Sequence, residues 1–425
     1  MEILENKFIS VEVNYGGYID KITIKDVKVK DSDRLSTVLL GDNGIIDFNA
    51  VEGMHNVTGI SKGVTVTKLT EMKPYDVEYN EIVIDKFILP KNAKEISAET
   101  FNIFRGAILK VNTVVWPDNC DTIPACAFID AKVSNLVNID NVAYIGDSAF
   151  ENSAISTISW PTNCNYIPSE AFLGSSIHEI LNIGHVVHIS EKAFMDCKRL
   201  KEFDIPAGVT EIPQKCFMNS EISKITGTQH LERIGNAAFS GCKVTSFKWP
   251  EKCKVVPHSC FAKAQKLQII TNLESVMSVK RGAFGETNIK ELFFSSELTE
   301  IGEFAFYCSL LEGIHGIENV ESIGVHAFER CALKTFDWPP KCHHIGYCTF
   351  LGCIWLKEIT GLDNVTQIDD GAFESTSIKS LDLSNSHGIA IHEKAFTNSK
   401  LKEVILGYYI DIPQSTFGNS VKVHR

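Results

Sequence analysis

Trp160-Pro161-Thr162-Asn163-Cys164-Asn165-Tyr166-Ile167-Pro168-Ser169-Glu170-Ala171-Phe172 is rewritten along most of this chain. An Ile or Val five residues ahead of a Phe recurs at Ile123/Phe128, Ile145/Phe150, Ile167/Phe172, Ile189/Phe194, Ile212/Phe217, Ile234/Phe239 and Val256/Phe261. It continues at Val279/Phe284, Ile301/Phe306, Ile323/Phe328, Ile345/Phe350, Ile368/Phe373, Ile391/Phe396 and Ile412/Phe417. The spacing from Phe128 onward is 22 or 23 residues, with 21 at the last step, and Ile96/Phe101 is an earlier copy. Self-similarity at this period predicts a solenoid, in which each copy buries its apolar face against its neighbours.

Each copy reads as two parts. A strand follows apolar-x-x-apolar-x-z, as in Ile155-Ser156-Thr157-Ile158-Ser159-Trp160 and Leu333-Lys334-Thr335-Phe336-Asp337-Trp338. A return segment then carries the Ile/Val-to-Phe landmark, often as Gly-x-x-Ala-Phe (Gly146 to Phe150, Gly235 to Phe239, Gly324 to Phe328). The return segment is too short for a long helix, so turns with one helical or 3₁₀ turn around Ala-Phe are expected. Successive strands then stack in parallel about 4.8 Å apart.

The z position alternates: Trp116, Asn138, Trp160, Asn182, Ile205, Gly227, Trp249, Asn272, Phe294, Gly316, Trp338, Gly361, Leu383. Large apolar residues trade places with Asn or Gly, so the true unit is two copies long. The physical expectation is that small neighbours give each indole room to lie across the coils, with Asn138 or Asn182 accepting the indole N–H. A tryptophan-lined groove is the rival reading, and the core reading is preferred.

Gly-x-x-Ala-Phe-x-x-Cys followed by an apolar-x-x-apolar strand resembles the BspA-like class of leucine-rich repeats. Ile234-Gly235-Asn236-Ala237-Ala238-Phe239-Ser240-Gly241-Cys242 is a close copy, and the resemblance covers about residues 91–425. It implies a leucine-rich-repeat solenoid, α/β by convention but β-dominated, of about 14 repeats. In that fold a parallel sheet lines the concave face, with turns and short helical or 3₁₀ segments on the return side. It also implies adhesins and host-interaction or surface proteins without enzymatic activity in the repeats. Trp-Pro after the strand, where the family has Leu/Ile-Pro, is a departure that leaves the fold intact.

Residues 1–90 lack the repeat and read as a small all-β domain, with expected strands at Phe8–Val13 and Ile19–Ile24 around Gly16-Gly17, at Val27–Lys30 and at Gly63–Thr67. A domain here is expected to cap the first coil or to attach the solenoid to something else. Residues 91–425 form the solenoid.

The net charge of −12 argues against nucleic acid or an anionic membrane as the main partner. Hydrophobic content of 44% and charged content of 22% are those of an ordinary well-packed protein. The first residues, Met1 to Lys7, lack a basic n-region and apolar h-region, so no signal peptide is expected, and no apolar run suggests membrane insertion.

Thirteen cysteines invite a metal or disulfide reading, with Cys342-His343-His344, Cys348 and Cys353 as the densest cluster. The repeat frame accounts for each of them instead. Cys120, Cys164, Cys253 and Cys342 share a column with Val and Leu, and Cys197, Cys242, Cys331 and Cys353 follow the landmark Phe by three. Free, mostly buried thiols are expected, with no metal site; only Cys308, Cys331 and Cys353 lie on successive coils, close enough to pair. No catalytic constellation, phosphate loop or cofactor motif is present, so neither enzyme activity nor a cofactor is expected.

The two residues flanking the second apolar position of each strand should point to the concave face. There they form a carboxylate strip of Glu179, Glu202, Asp204, Glu291, Asp337, Glu358, Asp382 and Glu403, interrupted by Lys224 and Lys248. Beside it runs a lysine stripe, Lys334, Lys357, Lys379 and Lys402, one per coil. Glu358 and Glu403 are placed to relieve its repulsion. These residues are the candidate binding surface for a protein or glycan partner. The alternative is a structural component of a larger assembly, a virion or surface layer, anchored through residues 1–90; a cytosolic scaffold is a weaker third reading.

Overall fold

The structure, a computed structural model, describes residues 109–407 apart from 387, residues 412–418 and 420–424, residues 89, 94–98 and 101, and the backbone alone of seven N-terminal strands between residues 2 and 88. The Gly16-Gly17 turn and Val27–Lys30 lie outside the described residues. The chain divides into two compact units, residues 1–201 with 206–208, and residues 202–205 with 209–425.

In the first unit Glu2–Glu5, Ile9–Val13, Ile19–Ile24 and Ile46–Asp47 form a four-stranded antiparallel sheet. Its central pair is the expected hairpin, with a register shift at Glu12/Val13. A second sheet runs Glu179–Leu181, Thr157–Ser159, Val133–Val137, Leu109–Val115, Ile82–Ile88, Val38–Leu39, every neighbour parallel. Ile82–Ile88 pairs along its length with Leu109–Val115, and Val64–Val66 adds to it antiparallel.

The second unit shows what a copy becomes. Its long wall of three-residue strands buries the central residue and exposes both flanks, as at Glu202–Asp204, Ser246–Lys248, Glu291–Phe293 and Thr335–Asp337. This is the period-two pattern expected of a sheet with one solvated face. A second wall of two-residue strands ends each at the landmark Ile or Val; Val255–Val256, Ser278–Val279, Glu300–Ile301 and Ser322–Ile323 pair in a continuous parallel ladder.

The return wall is built from overlapping turns. Ala237, Phe239 and Gly241 donate their N–H groups to His258, Cys260 and Ala262 of the next coil at 2.8, 3.0 and 2.7 Å. The residues between them, Ala238, Ser240 and Cys242, donate inward to Gly235, Ala237 and Phe239. Ala237 (φ 54°) and Gly241 (φ 69°) are left-handed, and the same two positions are left-handed at Ser259/Lys263, Phe304/Cys308 and His326/Arg330. A 3₁₀ turn would direct every donor along its own axis. Left-handed residues turn alternate donors outward, so each coil bonds to the next. A 3₁₀ segment does form ahead of Phe417, at Gln414–Thr416.

The core is an aromatic column. Phe217, Phe239, Phe261, Phe284, Phe306, Phe328, Phe350, Phe373 and Phe396 stack in turn with ring centroids 5.2–5.8 Å apart and planes within 12°. In the first unit Phe128, Phe150, Phe172 and Phe194 repeat the arrangement. Offset stacking of this kind adds to the large apolar area each ring buries. Trp116, Trp160, Trp249 and Trp338 are buried beside these columns, so these four tryptophans are core.

The reason for the z alternation differs from the expectation. Each indole Nε1 donates to a carbonyl of its own coil: Trp116 to Cys120 and Trp160 to Cys164 at 3.0 Å, Trp249 to Cys253 and Trp338 to Cys342 at 2.7 Å. No asparagine serves the indole. Asn138, Asn182, Gly227, Asn272, Gly316 and Gly361 instead all have φ between 59° and 76°. The asparagines donate Nδ2 to the main-chain carbonyl of the tryptophan one coil back, as Asn272 does to Trp249 at 2.7 Å. A Cβ on Gly316 would overlap the Phe294 carbonyl. Asn and Gly are there because they tolerate the left-handed turn, which costs other residues about 1–2 kcal/mol. The indole needs no extra room.

Candidate interaction surface

That left-handed residue shapes the strand wall of the second unit. At the large z positions the chain is still extended and bonds forward: Ile205, Trp249, Phe294 and Trp338 donate N–H to Thr226, Thr271, His315 and Thr360. At the Asn/Gly positions the chain has already turned away. Thr228 Oγ1, not the Gly227 amide, reaches the Lys248 carbonyl at 3.1 Å. The wall therefore pairs Glu202–Asp204 with Lys224–Thr226, Ser246–Lys248 with Ile269–Thr271, Glu291–Phe293 with Gly313–His315, and Thr335–Asp337 with Glu358–Thr360. Among the described residues no ladder joins one pair to the next, until Ser380–Leu383, Glu403–Leu406 and Lys422–His424 form a three-stranded sheet.

All eight candidate carboxylates are exposed on strands of this type. Seven belong to the second unit; Glu179 lies in the first. They are not a bare acidic strip. Lys224 meets Glu202 at 3.2 Å, His315 meets Glu291 at 3.0 Å and His424 meets Glu403 at 2.8 Å. Thr226 and Thr360 donate hydroxyls to Asp204 and Asp337 at 2.6 and 2.8 Å. The Ser384 backbone N–H holds the Asp382 carboxyl below the usual range. Glu179 and Glu358 have no such partner among the described residues. Lys224, Thr226, His315 and Thr360 lie on the second members of the pairs, and His424 on the last strand of the three-stranded sheet.

The lysine stripe divides as well. Glu312 sits between Lys334 at 2.5 Å and Lys290 at 2.9 Å, and these two ammonium groups hold its pKa down at about 2. Lys357, Lys379 and Lys402 are exposed, with no ion pair among the described residues. Glu403 turns to His424, not to the stripe, so the expected charge relief is absent there.

Sequence reasoning passed over the apolar members of this face. Phe293 is 61% exposed and Ile269 56%. The Phe293 ring stacks on His315, centroids 4.6 Å apart and planes 11° apart. Next to them a hollow of about 360 Å³ opens between Gly313–His315 and Thr335–Asp337, reaching Glu318 and Pro340. The signal was an apolar residue at an outward strand position, readable once the flanking positions were assigned.

The cysteines fill the places the repeat frame gave them, as free thiols, eleven buried and Cys126 and Cys308 half-buried. Burial pushes Cys197, Cys242, Cys253 and Cys331 up to about 12. Cys197, Cys331 and Cys353 donate Sγ–H to the carbonyls of Phe172, Phe306 and Phe328 at 2.9–3.0 Å. Ser220, Thr287 and Thr376 use the same column to bond the Phe carbonyl of their own coil. Cys342 and Cys353 are buried, the Cys342 thiol donating to the His344 main-chain carbonyl at 3.7 Å, while the His344 ring pairs with Asp369 at 2.7 Å. Among the described residues no cluster of three or more His, Cys, Asp or Glu is placed to hold a metal ion.

Short parallel strands, a landmark-Phe column and overlapping turns at this period define a leucine-rich-repeat solenoid. A model of the BspA type leucine rich repeat region matches residues 74–186, 100–224, 232–357 and 321–425, and the chain belongs to this family. A leucine-rich repeat protein from Bacteroides ovatus is similar in structure, with 16% identity, 99% of this chain and 98% of that chain covered, and a TM-score of 0.57. A leucine rich cell surface protein from Faecalibacterium prausnitzii matches at 14% identity, covering 100% and 94%, with a TM-score of 0.37. The pneumococcal vaccine antigen PcpA matches at 14% identity, covering 96% and 82%, with a TM-score of 0.32. At such identities the first bears on the fold alone. No curated protein sequence matches the chain.

Proposed function

We propose that this chain is a non-enzymatic interaction or adhesion protein whose second unit binds a protein partner through its strand wall. The observation that carries the reading is the contrast on that wall. The apolar interior positions are buried or half-buried, while outward positions carry a mixture of charge, hydroxyl and exposed apolar groups, Phe293 and Ile269 among them. Exposed aromatic and apolar groups ringed by polar ones are the composition of a binding patch. Membership of a leucine-rich-repeat family supports it.

Residues 1–90 serve in this reading as a β-rich cap on a solenoid of residues 91–425. Val38–Leu39 and Val64–Val66 cover the outer edge of Ile82–Ile88, which would otherwise offer unpaired backbone.

Crosslinked capture from the native source tests the proposal, comparing the full chain with a Phe293→Ser/Glu358→Lys/Asp382→Lys/Glu403→Lys variant. Loss of the same partner from the variant supports the strand wall. Equal capture by both proteins removes it as the binding surface.

A further inference from the structure

The hollow near Phe293 is an interruption in a strand ladder, and its two sides present main-chain groups with no ladder partner among the described residues. Gly313 donates its N–H back to Lys290, and His315 receives the N–H of Phe294, so these two residues face the preceding coil. Ile314, between them, faces the opening and is only half-buried. On the other side Lys334 accepts from Lys357 and Trp338 donates to Thr360, so both face the following coil. Thr335 and Asp337 face the opening.

Charge inside the hollow has one sign. Asp337 and Glu318 line it, and neither has an ion-pair partner among the described residues. Glu312 also lines it and stays ionised, although Lys290 and Lys334 already hold it. His315 lines the hollow as well, and Phe293 of the preceding strand stacks behind its ring.

We propose that this opening receives an extended, lysine- or arginine-bearing segment of a partner protein. The proposal rests on the strand wall being the binding surface and specifies where on it and for what chemistry. The segment lies alongside the short strands and bonds the groups at Ile314, Thr335 and Asp337, as added strands do at free sheet edges. Its cation meets Asp337 and Glu318, and a neighbouring side chain packs on the His315 ring. Charge complementarity sets orientation and encounter rate, and the main-chain bonds hold the segment.

The test uses the full chain and fluorescein-labelled heptapeptides of alternating lysine and valine, or glutamate and valine, followed by anisotropy. The lysine–valine peptide should bind and the glutamate–valine peptide should not. Asp337→Lys should weaken binding at least tenfold and Thr335→Trp, which fills the hollow, similarly. Glu251→Lys, exposed in a turn outside the strand wall, should change it less than twofold. Bound peptide should slow amide exchange at Ile314, Thr335 and Asp337. Equal losses for Asp337→Lys and Glu251→Lys, unchanged exchange at those amides, or no binding would each overturn the proposal. Native-partner capture separates the two readings. Capture lost from the four-site variant but kept by Asp337→Lys and Thr335→Trp retains the wall and rejects the hollow.

Discussion

The return wall and the strand wall of the second unit are made by the same coils, yet only one is bonded from every coil to the next. On the return wall alternate donors pass forward at Ala237, Phe239 and Gly241, and again at Ser259, Phe261 and Lys263. On the strand wall the bonds come in pairs and stop at Gly227, Gly316 and Gly361. The difference teaches where sequence is free. The return wall needs Ala-Phe and two left-handed residues in nearly every copy, which leaves little for recognition. The strand wall needs one buried residue in three and leaves the flanks to vary. A partner's specificity belongs there.

Truncating the column should be the largest single blow. Phe261→Ala, between Phe239 and Phe284, is expected to cost about 3–5 kcal/mol in chemical denaturation. A cost below about 1 kcal/mol, the range of exposed sites, would mean the return wall is not the scaffold.

Gly316 sharpens the reading of the interruptions. Gly316→Ala places a Cβ against the Phe294 carbonyl at φ 76° and should cost about 2 kcal/mol or more. Gly316→Asn brings the same Cβ but tolerates the left-handed turn, as Asn272 does, and should cost somewhat less than alanine. If alanine proves milder than asparagine, room and not backbone conformation governs the column.

Trp338→Phe keeps the ring in place and deletes the bond to Cys342 O, leaving a buried acceptor unpaired. About 1–3 kcal/mol is the expected loss by thermal unfolding. Glu202→Ala on the strand wall removes an exposed ion pair with Lys224 and should change stability by no more than about 0.5 kcal/mol. A loss comparable to that of Trp338→Phe would erase the distinction between the walls.

Glu312 gives the finest test. Its folded-state pKa is depressed, so its contribution is present above the ordinary 4.5 and fades as pH falls through about 2. Stability measured from pH 6 to pH 2 should fall less steeply in Glu312→Gln than in the parent chain. Parallel curves would show that Lys290 and Lys334 do not hold it in solution.

Much of this was legible beforehand because burial imposes a period. The landmark Phe, the buried tryptophans and the cysteine columns all follow from one apolar face per copy, and the outward placement of Glu202, Asp204 and Asp337 follows from strand alternation. The acids' partners were not legible, because Lys224, Thr226, His315 and Thr360 come from the neighbouring coil and depend on register. Nor was the hollow, since Gly313 reads as another flanking residue until its neighbours are in place.

The sequence by itself determined the solenoid, its period, its core and the doubling of its repeat, since each rests on which side chains must leave water. Tertiary structure alone decided what the doubling does. Whether an Asn or Gly makes room for a ring or turns the backbone is a question of φ, and φ here is set by stacking coils whose carbonyls must be met. From that turn come the paired strands, the opening at Gly313–His315, and the exposed main chain beside Phe293.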